Sequence, residues 1–551
     1  MTPFTSDIPP LEVRKTDDPR VVAEAATEDY SLHVVPRSWR LTPVRLLMAW
    51  SSLATAVAWL YFAALVAMLV GTTAAIIGLL VSVVVYSLVA YFINRGAAQS
   101  GLTVALFSRS IFGFLGSSIV SLLFAATAIY YFVFEGSIVA VAAKSFFDRH
   151  GVVLDIKLWY LIVVLYTIPL VIKGVRVWLD RLNGFLLPFY LVGMVAIVAW
   201  VTAHAGYSGD WASYSPPAAL VQGPGWLFVV NTYMGIFVFF MYQMEFARLG
   251  RTKDLRLSSG VTFGPVFFFF TFFVNGLIGI YIASELHIRQ LAEGQLVVSL
   301  VSVTGLVGLI FAVVTQSRIN TANLYASSTS LQSFASRVLR VDAPRVVWVF
   351  VAAAVGYLIM LTNVFSFILD ALNYQGIAIV GWVAMVVVRV VWLRTPNALS
   401  RLEFRPGRVP AFNPAALVIW ALTTTGGVLL KVFDGAFFAT YGLPIVFAAA
   451  AILYAIAITS MPERWLLHSR PHDPLLEVDD PWEDRVRCHG CDRFYLAREM
   501  DRDPTAGHLA ICSACASNIA FARGAAAEAA TARRDASVIA TAHAGADGSD
   551  G

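Results

Sequence analysis

The residues of this 551-residue sequence whose types and spacing could do chemistry are few: four cysteines, one isolated carboxyl and one run of hydroxyl and amide side chains. The cysteines form two pairs, Cys488-His-Gly-Cys491 and Cys512-Ser-Ala-Cys515, twenty residues apart. Two C-x2-C knuckles at that separation can surround one ion with four thiolates, the tetrahedral donor set that Zn²⁺ prefers. The competing arrangement is two disulfides, which a reducing compartment disfavours. Four thiolates leave no open position for water, so the expected role of the zinc is structural, with Cys488, Cys491, Cys512 and Cys515 as its ligands. A module this short has too small a core to fold alone, and the metal would supply the missing free energy. His489 and His508 lie beside the knuckles as supporting groups or as plain solvated loop residues.

Glu135 is the only formal charge between Arg109 and Lys144, in an otherwise apolar stretch, and Tyr131 precedes it by four residues on the same helical face. An aromatic ring and a carboxylate on one stripe could stack a planar heterocycle and accept N–H groups from its edge. The alternative is a carboxyl near the end of a long helix that reaches interfacial water. From Thr315 to Ser327 the chain packs Gln316, Ser317, Arg318, Asn320, Thr321 and Asn323 into a segment bounded by apolar residues. Hydrocarbon offers such groups no partners, so they must face protein, water or ligand. Small polar residues also glue helices together, but a guanidinium such as Arg318 is too costly for that role alone. Glu245 and Arg248, three apart where another apolar stretch ends, read as a gate-type or structural ion pair.

The elements that position these groups are membrane helices. The chain is 58% hydrophobic and only 13% charged, with a mean hydropathy of +0.72. A soluble chain carries about twice that charge. Apolar runs predict twelve spans near 46–70, 73–93, 114–142, 158–172, 183–203, 226–246, 261–284, 297–331, 346–362, 364–393, 414–431 and 440–460. The runs 297–331 and 364–393 are overlong, and each is either tilted or broken near Asn320 and Gly376 respectively. Lys and Arg crowd alternate loops, for example Arg248, Arg251, Lys253 and Arg256. The opposite loops hold only Arg149, Lys157, Arg289 and Lys431. Positive residues stay on the cytoplasmic side, so both termini are expected there, in a multi-pass cell-membrane protein.

The expected organisation is a cytoplasmic N-terminal tail at 1–45, a transmembrane domain at 46–460, a cytoplasmic tail with a zinc-ribbon-like module at 461–523, and a disordered, Ala-rich end at 524–551. No cleavable leader is visible in the polar first 45 residues. The basic residues form no continuous face, so nucleic acid is not an expected partner of the core. No nucleophile–base pair, phosphate loop or open metal site suggests an enzyme.

The segment 318–328, Arg-Ile-Asn-Thr-Ala-Asn-Leu-Tyr-Ala-Ser-Ser, resembles the eighth-helix motif of nucleobase:cation symporter family 1, the cytosine-purine permease family, which includes hydantoin and allantoin transporters. Residues 108–117, 245–248 and 412–417 resemble that family's loop before helix three, the end of its helix six and the start of its helix eleven. The resemblance covers about 30–460 and leaves the cysteine module outside. It implies a LeuT-like 5+5 inverted repeat plus two further helices, with helices one and six broken at mid-membrane. The breaks would fall near Ala54–Ala58 and near Gly235, flanked by Asn231 and Ile236.

By the same resemblance the chain would be a secondary transporter importing a nucleobase or related planar heterocycle from the lipid bilayer's outer side. Tyr131, Glu135, Gly235, Ile236, Asn320 and Asn323 would contact substrate. Ile236 beside Phe237, where sodium-coupled members carry a stacking aromatic, would leave the ring sandwich one-sided. Ser317 and Arg318 fall where those members bind sodium, and a fixed guanidinium there would repel the ion. Proton coupling through Glu135, or uniport, is therefore expected. The second functional class is a ligand-binding sensor or scaffold that signals through the zinc module to a cytoplasmic protein partner.

Overall fold

The computed structural model describes residues 8–28, 30–172, 175–216, 220–288, 293–341, 343–362, 368–393 and 395–546. Arg289, one of the expected loop cations, lies outside these residues, as do the last five positions.

The chain starts with strand β1 (Val13–Arg14) and helix α1 (Pro19–Thr27). Next come the half-helices α2 (Pro43–Trp50) and α3 (Ala58–Val70), bent by 45°. Helices α4 (Thr72–Ser100), α5 (Val104–Phe112), α6 (Ser117–Arg149), α7 (Ile156–Ile172) and α8 (Val175–Ala205) follow. A second pair of half-helices, α9 (Gly225–Met234) and α10 (Val238–Ala247), is bent by 50°. The remaining bundle contains α11 (Thr252–Glu285), α12 (Glu293–Thr304), α13 (Leu306–Phe334), α14 (Arg345–Met360), α15 (Ile368–Trp392), α16 (Pro414–Phe433) and α17 (Gly435–Ser460).

Among the described residues, seven helices are long and apolar enough to cross a membrane, nine if each bent pair is one span. Helices α7 and α14 are apolar but shorter. The chain is thus a polytopic membrane protein. Val84, Leu88, Val195, Leu358, Leu422 and Val432 point outward, which suits hydrocarbon and not water.

The polar run lies on α13, which packs along α6. Thr315, Gln316, Arg318, Asn320, Asn323, Ser327 and Ser328 are all buried there, so the stripe faces protein. The expected break near Asn320 is corrected: α13 is continuous through it. The interruption falls at Gly305, whose φ of +60° is left-handed and ends α12. Around Gly376, α15 likewise runs unbroken from 368 to 392.

The N-terminal segment and the C-terminal module form one body. Strand β1 pairs antiparallel with β2 (Arg485–Arg487), which pairs with β3 (Phe494–Leu496); β4 (Met500–Asp503) and β5 (Leu509–Cys512) form a hairpin. Residues 13–14 and 485–512 therefore belong to one body at one end of the bundle. The 1–45 stretch is in part an edge strand of the module, not a free tail.

The disorder expected from about Gly524 is not what the structure has: α18 (Ile519–Ala546) is helical. Alanine is the best helix former, and Phe521 and Ala525, four apart, are buried in the module's core, with Ala529 buried one turn further on.

The body is fastened to the bundle through buried polar bonds. Arg109 donates to Ser513 Oγ (3.2 Å) and Ser517 Oγ (3.1 Å). Arg405 pairs with Glu403 (2.6 Å) and Asp473 (2.7 Å). Arg498 donates to the Ser400 carbonyl (3.0 Å) and to that of Leu402.

His33, just before the bundle, stacks on Tyr495 at 3.8 Å and sits 2.9 Å from Glu499. Burial alone would lower the imidazole pKa, but the Glu499 carboxylate outweighs it and pushes it from 6.5 up to about 9. A raised pKa stabilises the docked state fully below about pH 6.5, and this contribution is lost as pH rises through about 9. The shift corresponds to about 3 kcal/mol. Protection factors, corrected for the base-catalysed rise in intrinsic exchange, should fall in 30–35 and 494–499 across that window in the wild type. In His33→Ala they should be low throughout and change little with pH.

Candidate functional site

Each helix break has a local cause and a set of partners. In residues 51–57 the hydroxyls of Ser51, Ser52 and Thr55 donate to the carbonyls of Met48, Ala49 and Ser52 at 2.8–2.9 Å, competing with the helical ladder. Side chains from elsewhere satisfy the freed backbone. Asn275 Nδ2 donates to the Ala54 carbonyl (2.9 Å), Trp59 Nε1 to the Leu53 carbonyl (2.7 Å), and the Val57 N–H to Gln316 Oε1 (3.2 Å). The expected breaks near Ala54–Ala58 and near Gly235 coincide with these positions.

At the second break Gly235 meets Gly376 of α15. A Cβ on Gly376 would stand 2.9 Å from the Gly235 Cα and 3.2 Å from its carbonyl oxygen. Two backbones touch there, and neither can yield as a side-chain tip could. Gly376→Val should fold but displace α15 from the break, at an overpacking cost of about 1–3 kcal/mol. Ligand binding measured on purified, monodisperse variant should fall at least about tenfold.

Between the two breaks lies a narrow chamber, small for a ligand site. Leu53, Ala58, Trp59 and Phe62 of the first break line it, with Tyr131 and Glu135 of α6, Ile236, Val238, Phe239 and Tyr242 of the second break, and Ile319 and Asn323 of α13. Glu135 accepts a hydrogen bond from Gln316 Nε2. Gln316 thus ties α6 to the first break, since its other amide atom holds Val57. Gln375 Nε2 donates to the Tyr131 hydroxyl (3.1 Å), and the Tyr242 hydroxyl donates to Asn323 Oδ1 (2.8 Å). Asn323 Nδ2 is buried with no partner among the described residues. The arrangement offers flat apolar walls, one carboxylate acceptor and one unspent amide donor.

Tyr131, Glu135, Ile236 and Asn323 are therefore brought together, with Gly235 at the rim of the break. Asn320 does not line the chamber. It is buried beside Gly136, and neither of its amide atoms has a partner among the described residues. Ser317 and Arg318 diverge, as neighbours on a helix must. The Ser317 hydroxyl bonds Tyr166 (2.8 Å), whereas Arg318 donates to Ser51 Oγ (3.2 Å) at the first break. Phe237 turns away onto Tyr86. The aromatic walls come instead from Trp59, Phe62 and Phe239, so the expected one-sided sandwich has further rings around it.

Glu245 and Arg248 form a buried pair (3.1 Å) apart from the chamber. Glu245 also accepts from the Val104 N–H (2.8 Å), and Arg248 donates to the Tyr30 carbonyl (2.9 Å). The pair thus joins α10 to α5 and to the N-terminal segment.

The four cysteines are free thiols whose Sγ atoms lie within 4.8 Å of one another. The Cys512 N–H points at Cys488 Sγ (3.2 Å) and the Cys515 N–H at Cys512 Sγ (3.5 Å). Backbone donors turned onto sulfur favour thiolates, so these residues can hold a metal ion. His489 is held by Asp503 (3.1 Å).

Neither a family model nor a curated protein matches the sequence. Solved structures do resemble the chain. The nucleobase-cation-symport-1 family transporter Mhp1, in a closed conformation with bromovinylhydantoin bound, aligns at a TM-score of 0.63 and 18% identity, covering 78% of this chain and 94% of that one. Inward-facing Mhp1 gives 0.61 and 16% over the same shares. MhsT in complex with L-phenylalanine gives 0.51 and 14%, covering 74% and 98%. This chain accordingly has the LeuT-like fold of the nucleobase-cation-symport-1 transporter structure.

Proposed function

We propose that the protein is a secondary transporter that moves a small planar heterocycle, a nucleobase or a relative such as a hydantoin, by alternating access. The observation that carries this reading is the chamber at the meeting of two broken helices, where Glu135, Asn323 and a ring of aromatics converge. Broken helices at mid-membrane supply backbone polar groups to a solute without exposing them to lipid. The carboxylate would accept N–H groups from the ring edge, the Asn323 amide would donate to a ring carbonyl, and Trp59, Tyr131 and Phe239 would flank its faces. The likeness to a structure with a bound hydantoin supports the solute class. The basic loops support cytoplasmic termini.

By the family resemblance Arg318, bonded to Ser51 at the first break, would put a positive charge beside the sodium position, which would leave Glu135 as the proton carrier. Structural zinc in the cysteine module completes the reading. Uptake of labelled uracil, cytosine, hypoxanthine and hydantoin into proteoliposomes tests it, with and without sodium and with an imposed proton gradient. Accumulation driven by the proton gradient in sodium-free buffer is the expected result; strict sodium dependence refutes the coupling.

One observation favours the alternative, a sensor acting through the module: Arg109, Arg405 and Arg498 fasten that body to the bundle. Deleting 470–551 separates the two readings. A transporter keeps most of its uptake, whereas a sensor binds ligand and loses its output.

A further inference from the structure

A second cluster of metal-ligating side chains lies in the cytoplasmic body and shares no residue with the four cysteines. His472, on the linker after α17, His508, in the β4–β5 turn, and Glu528, on α18, bring one ligand atom each to within 4.8 Å of one another. The two imidazole rings are 5.1 Å apart and steeply inclined at 69°, so they do not stack.

His508 Nδ1 is buried and has no hydrogen-bond partner among the described residues. It faces Glu528 Oε1 at 3.8 Å, too far for a hydrogen bond. Ligands about 2.0–2.2 Å from a tetrahedral ion stand roughly 3.3–3.5 Å apart, so the gap is close to that of two groups sharing a cation. The carboxylate is also divided as such a site requires. Its Oε2 is taken by Arg470 at 2.6 Å, which fixes the group and leaves Oε1 turned to the histidine.

His508 has a φ of +58°, a left-handed conformation that a non-glycine residue rarely adopts. Arg502 holds the turn in place by donating to the His508 carbonyl (2.9 Å). Backbone strain retained at a ligand-type side chain is a pointer to function.

We propose that His472, His508 and Glu528 bind a divalent transition ion of the zinc class. Two imidazoles and one carboxylate suit that ion and leave a fourth position for water. The three ligands come from three segments, and the residue after His472 is Asp473, which pairs with Arg405 and Arg408 of the bundle's loop. Occupancy would therefore staple α18 and the β4–β5 turn to the linker that anchors the body to the membrane domain.

The test is a Co²⁺ titration of full-length, metal-stripped protein in detergent, in which the cysteines take the first equivalent and refold the module, followed by absorption spectroscopy. The expected result is one equivalent lacking thiolate-to-cobalt charge transfer, bound by the wild type and lost in both His472→Ala and His508→Ala. Any thiolate-type band should be unchanged in the variants and reports that the body remains folded. Absence of a nitrogen- and oxygen-ligated equivalent in the wild type overturns the proposal, as does its persistence in both variants. The wild-type titration decides even if a variant fails to fold.

Discussion

Glu135→Gln is expected to abolish concentrative uptake while leaving the protein folded. The substitution keeps the side chain's shape, and the amide can still bond Gln316, so the link from α6 to the first helix break survives. What disappears is the carboxylate facing the chamber. Losing one buried hydrogen bond to a charged acceptor costs about 1.5–3 kcal/mol, which weakens binding roughly 10- to 150-fold. The larger effect is on coupling. A glutamine cannot carry a proton, so the variant should exchange substrate downhill but fail to accumulate it against a gradient. Proteoliposomes preloaded with unlabelled substrate measure exchange, and a proton gradient measures accumulation. Loss of the second with survival of the first separates the proton carrier from a mere structural acceptor.

On the proposed reading of the four cysteines as a zinc site, removing that metal should have the largest effect on stability. Structural zinc supplies about 10–16 kcal/mol to small Cys-ligated modules, more than a core built around Val486, Tyr495, Met500 and Ile511 can replace. Cys488→Ser combined with Cys512→Ser, or treatment with a strong chelator, should unfold the module. Hydrogen-exchange protection should be lost from 485 to 529. Arg109 would then lose its Ser513 and Ser517 partners. Protection in α6 and α13 should be retained, because their contacts lie within the bundle.

The parts of the site that the sequence disclosed are those where polarity is costly. A lone carboxyl with an aromatic four residues before it, a dense amide and hydroxyl run, and a glycine in an apolar helix each stand out against hydrocarbon. The first two pointed to Tyr131, Glu135 and the polar run on α13, whereas the roles of Asn323 and the break near Gly235 came from the family resemblance. Trp59, Phe62 and Tyr242 were invisible for the opposite reason, since an aromatic in an apolar span looks the same whether it faces lipid or a chamber. Gln316 was visible as polar, but its two-sided role depends on the unwinding at Val57, which only the tertiary structure reveals.

The helix interruptions show the same division. Polar residues at Asn320 pointed to a break that burial against α6 makes unnecessary, while Gly305 drew no attention because its effect lies in a backbone angle. The two-residue strand Val13–Arg14 has no periodicity to read and exists only because β2 offers it an edge. In the Ala-rich end, low complexity suggested disorder; the stripe of Phe521 and Ala525 that docks α18 is small and easily overlooked.

The central claim is that the chamber between the two helix breaks holds a planar heterocycle. Thermal unfolding of the purified protein, with uracil, cytosine, hypoxanthine, hydantoin and allantoin each present at saturation, tests it most directly. A ligand that binds only the folded state raises the apparent midpoint by mass action. At least one of these compounds should raise it for the wild type and fail to do so for Asn323→Ala and Tyr131→Ala. No shift from any of them, or a shift that both substitutions leave intact, would contradict the account.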